Sequence, residues 1–307
     1  MRVLFMGTPA FALTVLEALC ESRHEVVCAV TQPDKRGDRG ALTASPVKMF
    51  AERRGIPVRQ YAKVRLEGAE ELRAFGADIF VTAAYGQLLS RELLDIAKYG
   101  TVNVHASLLP AYRGSCPVQR AIMNGDKLTG VTIMQTAEGL DTGDILLQKT
   151  LPIADKDTSA TLMDKLASLG AEALLEFLDK LEAGEITPQK QDESKATYYP
   201  MLTKADGKID WSLPADKIDC IIRGVTPWPG AYTFRAGKML KVHRAHAESC
   251  DIDMPAGNVI KADKRGVAVR CGSGALVLEE VQLEGKKRMC CADFLNGCKL
   301  APGEILG

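Results

Sequence analysis

The sequence predicts an α/β protein, with a doubly wound, mostly parallel sheet domain followed by a small β-barrel. Over the first 180 residues, short apolar strands alternate with amphipathic helical segments, which is typical of a parallel sheet covered by helices. After Pro227, short alternating strands are separated by glycine-rich turns, which indicates a barrel. At 307 residues the chain is long enough for two domains.

The elements of the first domain follow from apolar runs and helix-start signals. Residues 79–83 are a continuous apolar run, as expected of a strand buried on both faces. Ser45 is a good N-cap and Pro46 suits the first helical position, so a helix is predicted to reach residue 54. The remaining predicted elements are strands at 2–6, 25–31, 131–134 and 145–147 and helices at 11–19, 117–124 and 158–182.

The second half of the chain changes character at a polar stretch. Residues 184–206 are rich in Lys, Gln, Asp and Pro and lack an apolar period, which predicts a linker. We therefore expect a first domain at 1–183, a linker at 184–206 and a carboxyl-terminal barrel at 207–307. Beyond the linker, a helix is predicted at 214–222, and strands at 238–243, 266–270 and 275–281.

Composition excludes several classes of protein. Lys and Arg total 39 and Asp and Glu total 39, so binding of nucleic acid by the whole surface is not expected. No apolar run reaches about 18 residues, and the first apolar run is too short for a signal peptide. The nine cysteines form no C-x-x-C pair, so reduced thiols, a cytoplasmic location and no membrane association are expected.

The strongest candidate site lies at the end of a short β-branched strand. Asn103 and His105 are two residues apart, so they share one face of this strand. Ligands of open α/β sheets bind at the carboxyl ends of the strands, where these two side chains lie. The alternative is that His105 is a structural histidine, bonded within the fold.

An acidic loop supplies a third candidate residue. Asp141 lies in the segment from Glu138 to Asp144, with a glycine on either side. Such glycines allow tight turns that could direct the carboxylate inward. The alternative is an ordinary Asp-Gly turn.

Together these segments resemble the 10-formyltetrahydrofolate-dependent formyltransferases. NVHASLLPAYRGSCPVQ is similar to that family's N-x-H…SLLP…RG…P-x-Q signature, and EGLDTGDI is similar to its D-x-G-D segment. The resemblance implies that Asn103, His105 and Asp141 are catalytic. It also implies that Ser107, Leu108, Leu109 and Pro110 bind folate, as do Tyr85 and Gly86 in a loop that resembles A-Y-G-x-x-L-P.

The second half of the chain resembles the branch of this family that formylates initiator methionyl-tRNA. DGKIDW (206–211) and the P-W-P-G-A segment (227–231) are similar to motifs that follow the linker in those enzymes. The resemblance implies a Rossmann-like first domain and an OB-like barrel that contacts tRNA. Physically, the P-W-P-G segment is expected to be a rigid turn with a packed Trp228 indole.

The resemblance also implies the substrates and their contacts. The predicted reaction transfers the formyl group of 10-formyltetrahydrofolate to the α-amino group of methionyl-initiator tRNA, with no metal. Arg36 and Arg39, in a polar glycine-rich loop, are expected to contact the tRNA acceptor end, and a monomer is expected. The loop could instead be simply solvated. Ala41 and Leu42 stand where the family often has more lysine.

Two other functions remain open from the sequence. One is an enzyme of the same family that uses another formyl acceptor or hydrolyses formyl-folate. The other is a noncatalytic protein that keeps the fold and binds tRNA or folate. The Asn103, His105 and Asp141 set argues against the second. The absence of a P-loop or G-x-G-x-x-G motif disfavours a dinucleotide site.

Overall fold

The structure is a computed structural model that describes residues 1–36 and 42–307, and of Arg36 it describes the backbone alone. It divides into two compact units. Unit 1 comprises Met1–Pro117, Leu128–Pro152 and Met163–Tyr199, and unit 2 comprises Val118–Lys127, Ile153–Leu162 and Pro200–Gly307. Composition predicts domain bounds at residues 183 and 206, and these bounds stay a prediction.

Unit 1 contains eleven strands among the described residues, and seven of them form its central sheet. The strands are β1 (Arg2–Gly7), β2 (Glu25–Thr31), β3 (Lys35–Arg36), β4 (Leu42–Thr43), β5 (Val58–Gln60), β6 (Ile79–Ala83), β7 (Thr101–His105), β8 (Arg113–Gly114), β9 (Leu128–Gln135), β10 (Ile145–Pro152) and β11 (Tyr198–Tyr199). The sheet has the order β10-β9-β7-β6-β1-β2-β5. In this sheet, as the structure describes it, the β7–β9 and β9–β10 pairs are antiparallel and the other four pairs are parallel.

The strand order reverses between β1 and β6. From β1 the chain adds β2 and β5 on one side, and it later adds β6 and β7 on the other. Gly7 pairs with Ala83 at the carboxyl ends of these two strands. A ligand of an open α/β sheet binds beside such a switch point, so the fold places the candidate site at this edge.

Local signals mark the start of one helix and the buried face of another. Ser45 accepts a hydrogen bond from the Lys48 N–H at 3.1 Å, so it is the N-cap that the sequence predicts. Four leucines of the long helix, Leu162, Leu166, Leu174 and Leu178, are fully buried. The helices are α1 (Ala10–Glu21), α2 (Pro46–Arg53), α3 (Val64–Glu67), α4 (Ala69–Arg73), α5 (Arg91–Leu94), α6 (Pro117–Asn124), α7 (Ser159–Ala183), α8 (Ala215–Gly224) and α9 (Cys291–Gly297).

Unit 2 is built on an antiparallel sheet. Its strands are β12 (Ala231–Arg235), β13 (Lys238–Glu248), β14 (Val259–Asp263), β15 (Gly266–Arg270), β16 (Ala275–Leu283) and β17 (Met289–Cys290). The order is β12-β13-β16-β15-β14, and β17 pairs with β16. The fold class is therefore confirmed as a mostly parallel, Rossmann-like α/β domain followed by an antiparallel β domain.

Two details differ from what the sequence patterns suggest. The indole of Trp228 is 53% exposed, so the expectation that it packs inside its turn is wrong. The stretch 184–199 is polar, yet it is bonded to the rest of unit 1. Gln189 exchanges backbone hydrogen bonds with Ile145, and β11 pairs with β8. Composition reports the polarity of a segment but not the partners of its backbone.

Candidate active site

Asn103 lies near the carboxyl end of β7, beside β6. The two strands are parallel, with Thr82 directly opposite Asn103. The single proton of the Thr82 hydroxyl is shared between Asn103 Oδ1 at 3.0 Å and the Val102 carbonyl oxygen at 3.1 Å, so the oxygen side of the Asn103 amide faces Thr82. Within the described part of the chain, no hydrogen bond is recorded from its nitrogen. The amide N–H groups are therefore available to donate to a bound molecule.

His105 ends the same strand and is held by one ring nitrogen. Its Nε2 lies 3.1 Å from the Tyr112 carbonyl oxygen. A carbonyl can only accept, so Nε2 carries the proton of this bond. The other nitrogen, Nδ1, lies 3.8 Å from Asp141 Oδ1. That distance is longer than a hydrogen bond and within reach of an ion pair once the ring is protonated.

Asp141 reaches the site from the loop between β9 and β10. Its Oδ2 accepts the Gly114 N–H at 2.8 Å, while Oδ1 faces His105. Its backbone has φ of +53°, a left-handed conformation that is uncommon for a residue with a side chain. Gly143, in the same loop, has no room for a Cβ, because one built there would lie 1.7 Å from the Gln135 carbonyl oxygen.

Unusual backbone conformations gather around these residues. Four non-glycine residues of the described part have positive φ, and three belong to loops of this site: Ala84, Tyr112 and Asp141. Such conformations cost about 1–3 kcal/mol each and persist where the surroundings impose them. Their clustering at the carboxyl edge of the sheet supports a functional role for that edge.

The turn after β7 is held by buried hydrogen bonds. Thr132 accepts the Leu109 N–H at 3.1 Å and donates to the Ser107 carbonyl at 2.7 Å. Gln148 donates to the Leu109 carbonyl at 2.9 Å. Ser107 and Leu109 are buried, whereas Leu108 and Pro110 are half-buried. The latter two are therefore the residues of this turn that a ligand reaches most readily.

The loop after β6 borders a cavity. Gly86, with φ of +79°, lines a cavity of about 280 Å³ together with Gln32, Lys63, Arg65 and Gln87, among others. The Tyr85 side chain does not share this exposure. It is 4% exposed within a core cluster that includes Tyr61.

Tyr85 and Tyr61 offer a matched test of buried hydroxyls. No partner within the described residues bonds the Tyr85 hydroxyl, and burial raises its pKa. Because an unbonded buried polar group is costly, Tyr85→Phe is expected to raise the free energy of unfolding by about 1 kcal/mol. Tyr61 instead donates to Glu71 at 2.6 Å, so Tyr61→Phe is expected to lower it by a similar amount.

Urea denaturation of both variants measures these changes. A loss of stability in Tyr85→Phe would contradict the assignment of an unbonded buried hydroxyl.

The predicted tRNA contacts fall at the edge of what the structure describes. Arg39 lies outside the described residues, and for Arg36 only the backbone of β3 is described. Within residues 1–36 and 42–307, no cluster of three or more His, Cys, Asp or Glu is arranged to hold a metal. No helix in those ranges has the length and apolarity needed to cross a bilayer.

Several residues that shape the site were not singled out in the sequence. Thr82 has a recognisable signal, because it is a polar residue near the carboxyl end of an apolar strand. Tyr112 and Gly114 contact the site through backbone atoms, which no side-chain pattern indicates. Gln191, whose amide donates to the Asp141 and Gly143 carbonyls at 2.8 and 2.7 Å, lies in the stretch interpreted as a linker.

Models of known protein families match both halves of this chain. A family model described as formyl transferase matches residues 1–178, and one for the formyl transferase carboxyl-terminal domain matches residues 201–299. The chain belongs to the formyl transferase family. This confirms the family that the sequence motifs predict.

Relatives of this formyl transferase are similar over its whole length. Methionyl-tRNA formyltransferase of Citrifermentans bemidjiense is 51% identical over 310 residues, covering 100% of this chain and 96% of that protein. The enzyme of the same name from Geotalea uraniireducens is 48% identical over 309 residues, covering 100% and 98%. The prediction that the chain is a formyl transferase enzyme is confirmed.

Solved structures share the fold of this formyl transferase. An N-formyltransferase from Helicobacter canadensis, in complex with folinic acid and dTDP-3-aminofucose, superposes with a TM-score of 0.67. It is 17% identical, covering 91% of this chain and 98% of that one. At this level of identity the similarity shows the fold alone.

Proposed function

We propose that this chain transfers the formyl group of 10-formyltetrahydrofolate to the α-amino group of methionyl-initiator tRNA. The observation that carries the proposal is the convergence of Asn103, His105 and Asp141 at one edge of the sheet. The acceptor is proposed from the relatives of 45–51% identity, which share the name methionyl-tRNA formyltransferase and align with the whole chain. Initiator tRNA and folate are thus the proposed partners. The chain is also proposed to be a cytoplasmic monomer.

Asn103 is proposed to stabilise the charge that develops on the formyl oxygen. The amine attacks the formyl carbon, a new N–C bond forms, and the oxygen becomes an oxyanion. Because Thr82 bonds Asn103 Oδ1, the amide N–H groups remain to donate to that oxygen. A donor held in place before the reaction stabilises the transition state without having to reorient.

His105 is proposed to move the amine proton through Nδ1. Its Nε2–H is held by the Tyr112 carbonyl, so Nδ1 is the nitrogen left to accept a proton. Once protonated, the ring is positive and lies 3.8 Å from the Asp141 carboxylate, which stabilises the imidazolium. The proton then passes to folate N10 as the C–N10 bond breaks, which completes the transfer.

The folate is proposed to bind along the edge between the β6 and β7 loops. Leu108 and Pro110 offer apolar surface at the turn after β7, and Gly86 lines the cavity at the loop after β6. Ser107, Leu109 and Tyr85 would then act by shaping these two loops, since their side chains are buried.

One assay distinguishes this function from its alternatives. The full chain is incubated with 10-formyltetrahydrofolate and charged initiator tRNA, and the aminoacyl group is analysed by mass spectrometry. Formylmethionyl-tRNA is the expected product. Free formate without formylated tRNA would indicate hydrolysis of the folate, and folate binding without turnover would indicate a noncatalytic protein.

Arg39, with Arg36, is proposed to contact the phosphates of the tRNA acceptor end. Arginine suits such contacts because its planar guanidinium can bind phosphate through two donors. Arg39→Ala is therefore expected to raise the KM for tRNA about tenfold at low salt, with folate affinity unchanged. The difference in KM for tRNA between the wild type and Arg39→Ala should shrink as the salt concentration rises.

Steady-state kinetics at two salt concentrations tests this contact. Arg73→Ala removes an exposed arginine paired with Glu92 and serves as the matched control, with an unchanged KM for tRNA. If Arg39→Ala weakens folate binding while tRNA kinetics stay normal, the loop belongs to the folate site instead.

A further inference from the structure

Arg113 is a cation enclosed within unit 1. Its accessible surface is 0%, and it is the largest fully buried side chain of the described residues. An enclosed charge is costly unless it is paired and its donors are satisfied. Nothing in the proposed chemistry uses the Arg113 guanidinium, so its burial requires another explanation.

The partners of Arg113 come from one short segment of the 184–199 stretch. Its guanidinium donates to Gln191 Oε1 at 3.0 and 2.7 Å and to both Glu193 oxygens at 2.9 and 2.7 Å. It also donates to the Tyr198 hydroxyl and lies against that ring. The bonds from Arg113 lower the pKa of the Glu193 carboxyl, so the pair is charged at neutral pH.

The same segment is also bonded, through Gln191, to the loop between β9 and β10 that carries Asp141. While Gln191 Oε1 accepts from Arg113, its Nε2 donates to the Asp141 carbonyl at 2.8 Å and the Gly143 carbonyl at 2.7 Å. Both the oxygen and the nitrogen of this amide therefore have hydrogen-bond partners. Arg113 and the Asp141 loop are joined by a single side chain.

The residues on either side of Arg113 contact two of the three candidate catalytic residues, His105 and Asp141. The Tyr112 carbonyl accepts from His105, and the Gly114 N–H donates to Asp141 Oδ2. The Arg113 guanidinium therefore bonds Gln191, which in turn bonds the loop that carries Asp141. The backbone of the two residues beside Arg113 bonds the His105 ring and the Asp141 carboxylate.

We propose that Arg113 and Gln191 are positioning residues that set the separation of His105 and Asp141. They belong to a connected series of contacts from Glu193 through the guanidinium and the amide to the Asp141 backbone. This inference rests on the proposed function, in which the His105–Asp141 pair moves the amine proton. An error of about 1 Å in such a pair costs up to about 10²-fold in rate.

Gln191→Glu tests the two hydrogen bonds that Gln191 Nε2 donates to the Asp141 loop. Glutamate keeps an acceptor for Arg113 but cannot donate to the Asp141 and Gly143 carbonyls. We expect kcat for formyl transfer to fall about tenfold, with KM values for tRNA and folate within about twofold of wild type. Gln189→Glu is the matched control, since the exposed Gln189 bonds through its backbone, and its kcat should be unchanged.

A double-mutant cycle separates positioning from a general loss of stability. If Gln191 acts through Asp141, Gln191→Glu should change kcat less than twofold in an Asp141→Asn background. Should Gln191→Glu prove unstable in thermal unfolding, Gln191→Met removes the same donors without adding charge, and the cycle is repeated with it.

Two results would overturn the proposal. One is a normal kcat in the Gln191 variants, and the other is a full tenfold loss in the Asp141→Asn background as well. In each case the kcat of the variant is compared with that of the wild type in the same assay. A wild-type chain that makes no formylmethionyl-tRNA would refute the proposed function, whereas an active wild type with normal Gln191 variants refutes this inference alone.

Discussion

Replacing His105 by alanine is expected to lower kcat for formyl transfer by about 10²-fold or more. The substitution removes Nδ1, the one ring nitrogen that the fold leaves open to exchange a proton beside Asp141. The ring has a single recorded hydrogen bond within the described residues, so we expect the folded structure to survive. Asn103→Ala should lower kcat to a similar degree, because it removes the donor to the oxyanion.

Thr101→Val is the control for both substitutions. Thr101 is buried on the same strand and its hydroxyl has no partner among the described residues, but it lies at the opposite end of β7 from the site. The kcat of Thr101→Val should match that of the wild type. Rapid-quench kinetics with saturating tRNA measures the chemical step, and near wild-type turnover in His105→Ala or Asn103→Ala would remove that residue from the mechanism.

Replacing Gly143 by alanine should also lower kcat by about 10²-fold. A Cβ at this position would lie 1.7 Å from the Gln135 carbonyl oxygen, which belongs to the backbone and cannot rotate away. The loop must therefore shift by an ångström or more, and Asp141 shifts with it. We expect the His105–Asp141 pair to be lost while folate affinity falls much less.

Gly139→Ala provides the matched comparison in the same loop. A Cβ there meets the end of the Thr142 side chain at 2.4 Å, and a side chain can adopt another rotamer. We therefore expect kcat within about threefold of wild type. Equal losses in the two alanine variants would mean that general loop disruption, rather than displacement of Asp141, explains the effect.

Much of the fold was predictable because its signals are local. The β2, β6, α6 and β15 segments have the bounds that apolar runs and turn residues predict. The N-cap at Ser45 is equally local, since the serine and the N–H it bonds are three residues apart. Apolar periodicity and capping act over a few residues, so they can be identified without knowing the tertiary structure.

The sequence by itself determined which residue types are available at the site. Asn103 and His105 share a face because strand geometry alternates side chains, and Asp141 lies in a loop whose glycines permit its turn. These relations hold within single segments. The motifs that carry the family resemblance are of the same local kind.

Only the tertiary structure decided how these groups are oriented. It is the Tyr112 carbonyl that leaves His105 Nδ1 open, the Thr82 hydroxyl that directs the Asn103 amide, and Gln191 that bonds the Asp141 loop. Backbone atoms have no side-chain signature, and Gln191 lies 50 residues from Asp141 in a stretch whose composition indicates a linker. Contacts of that range depend on how the folded chain brings distant segments together, which no local pattern records.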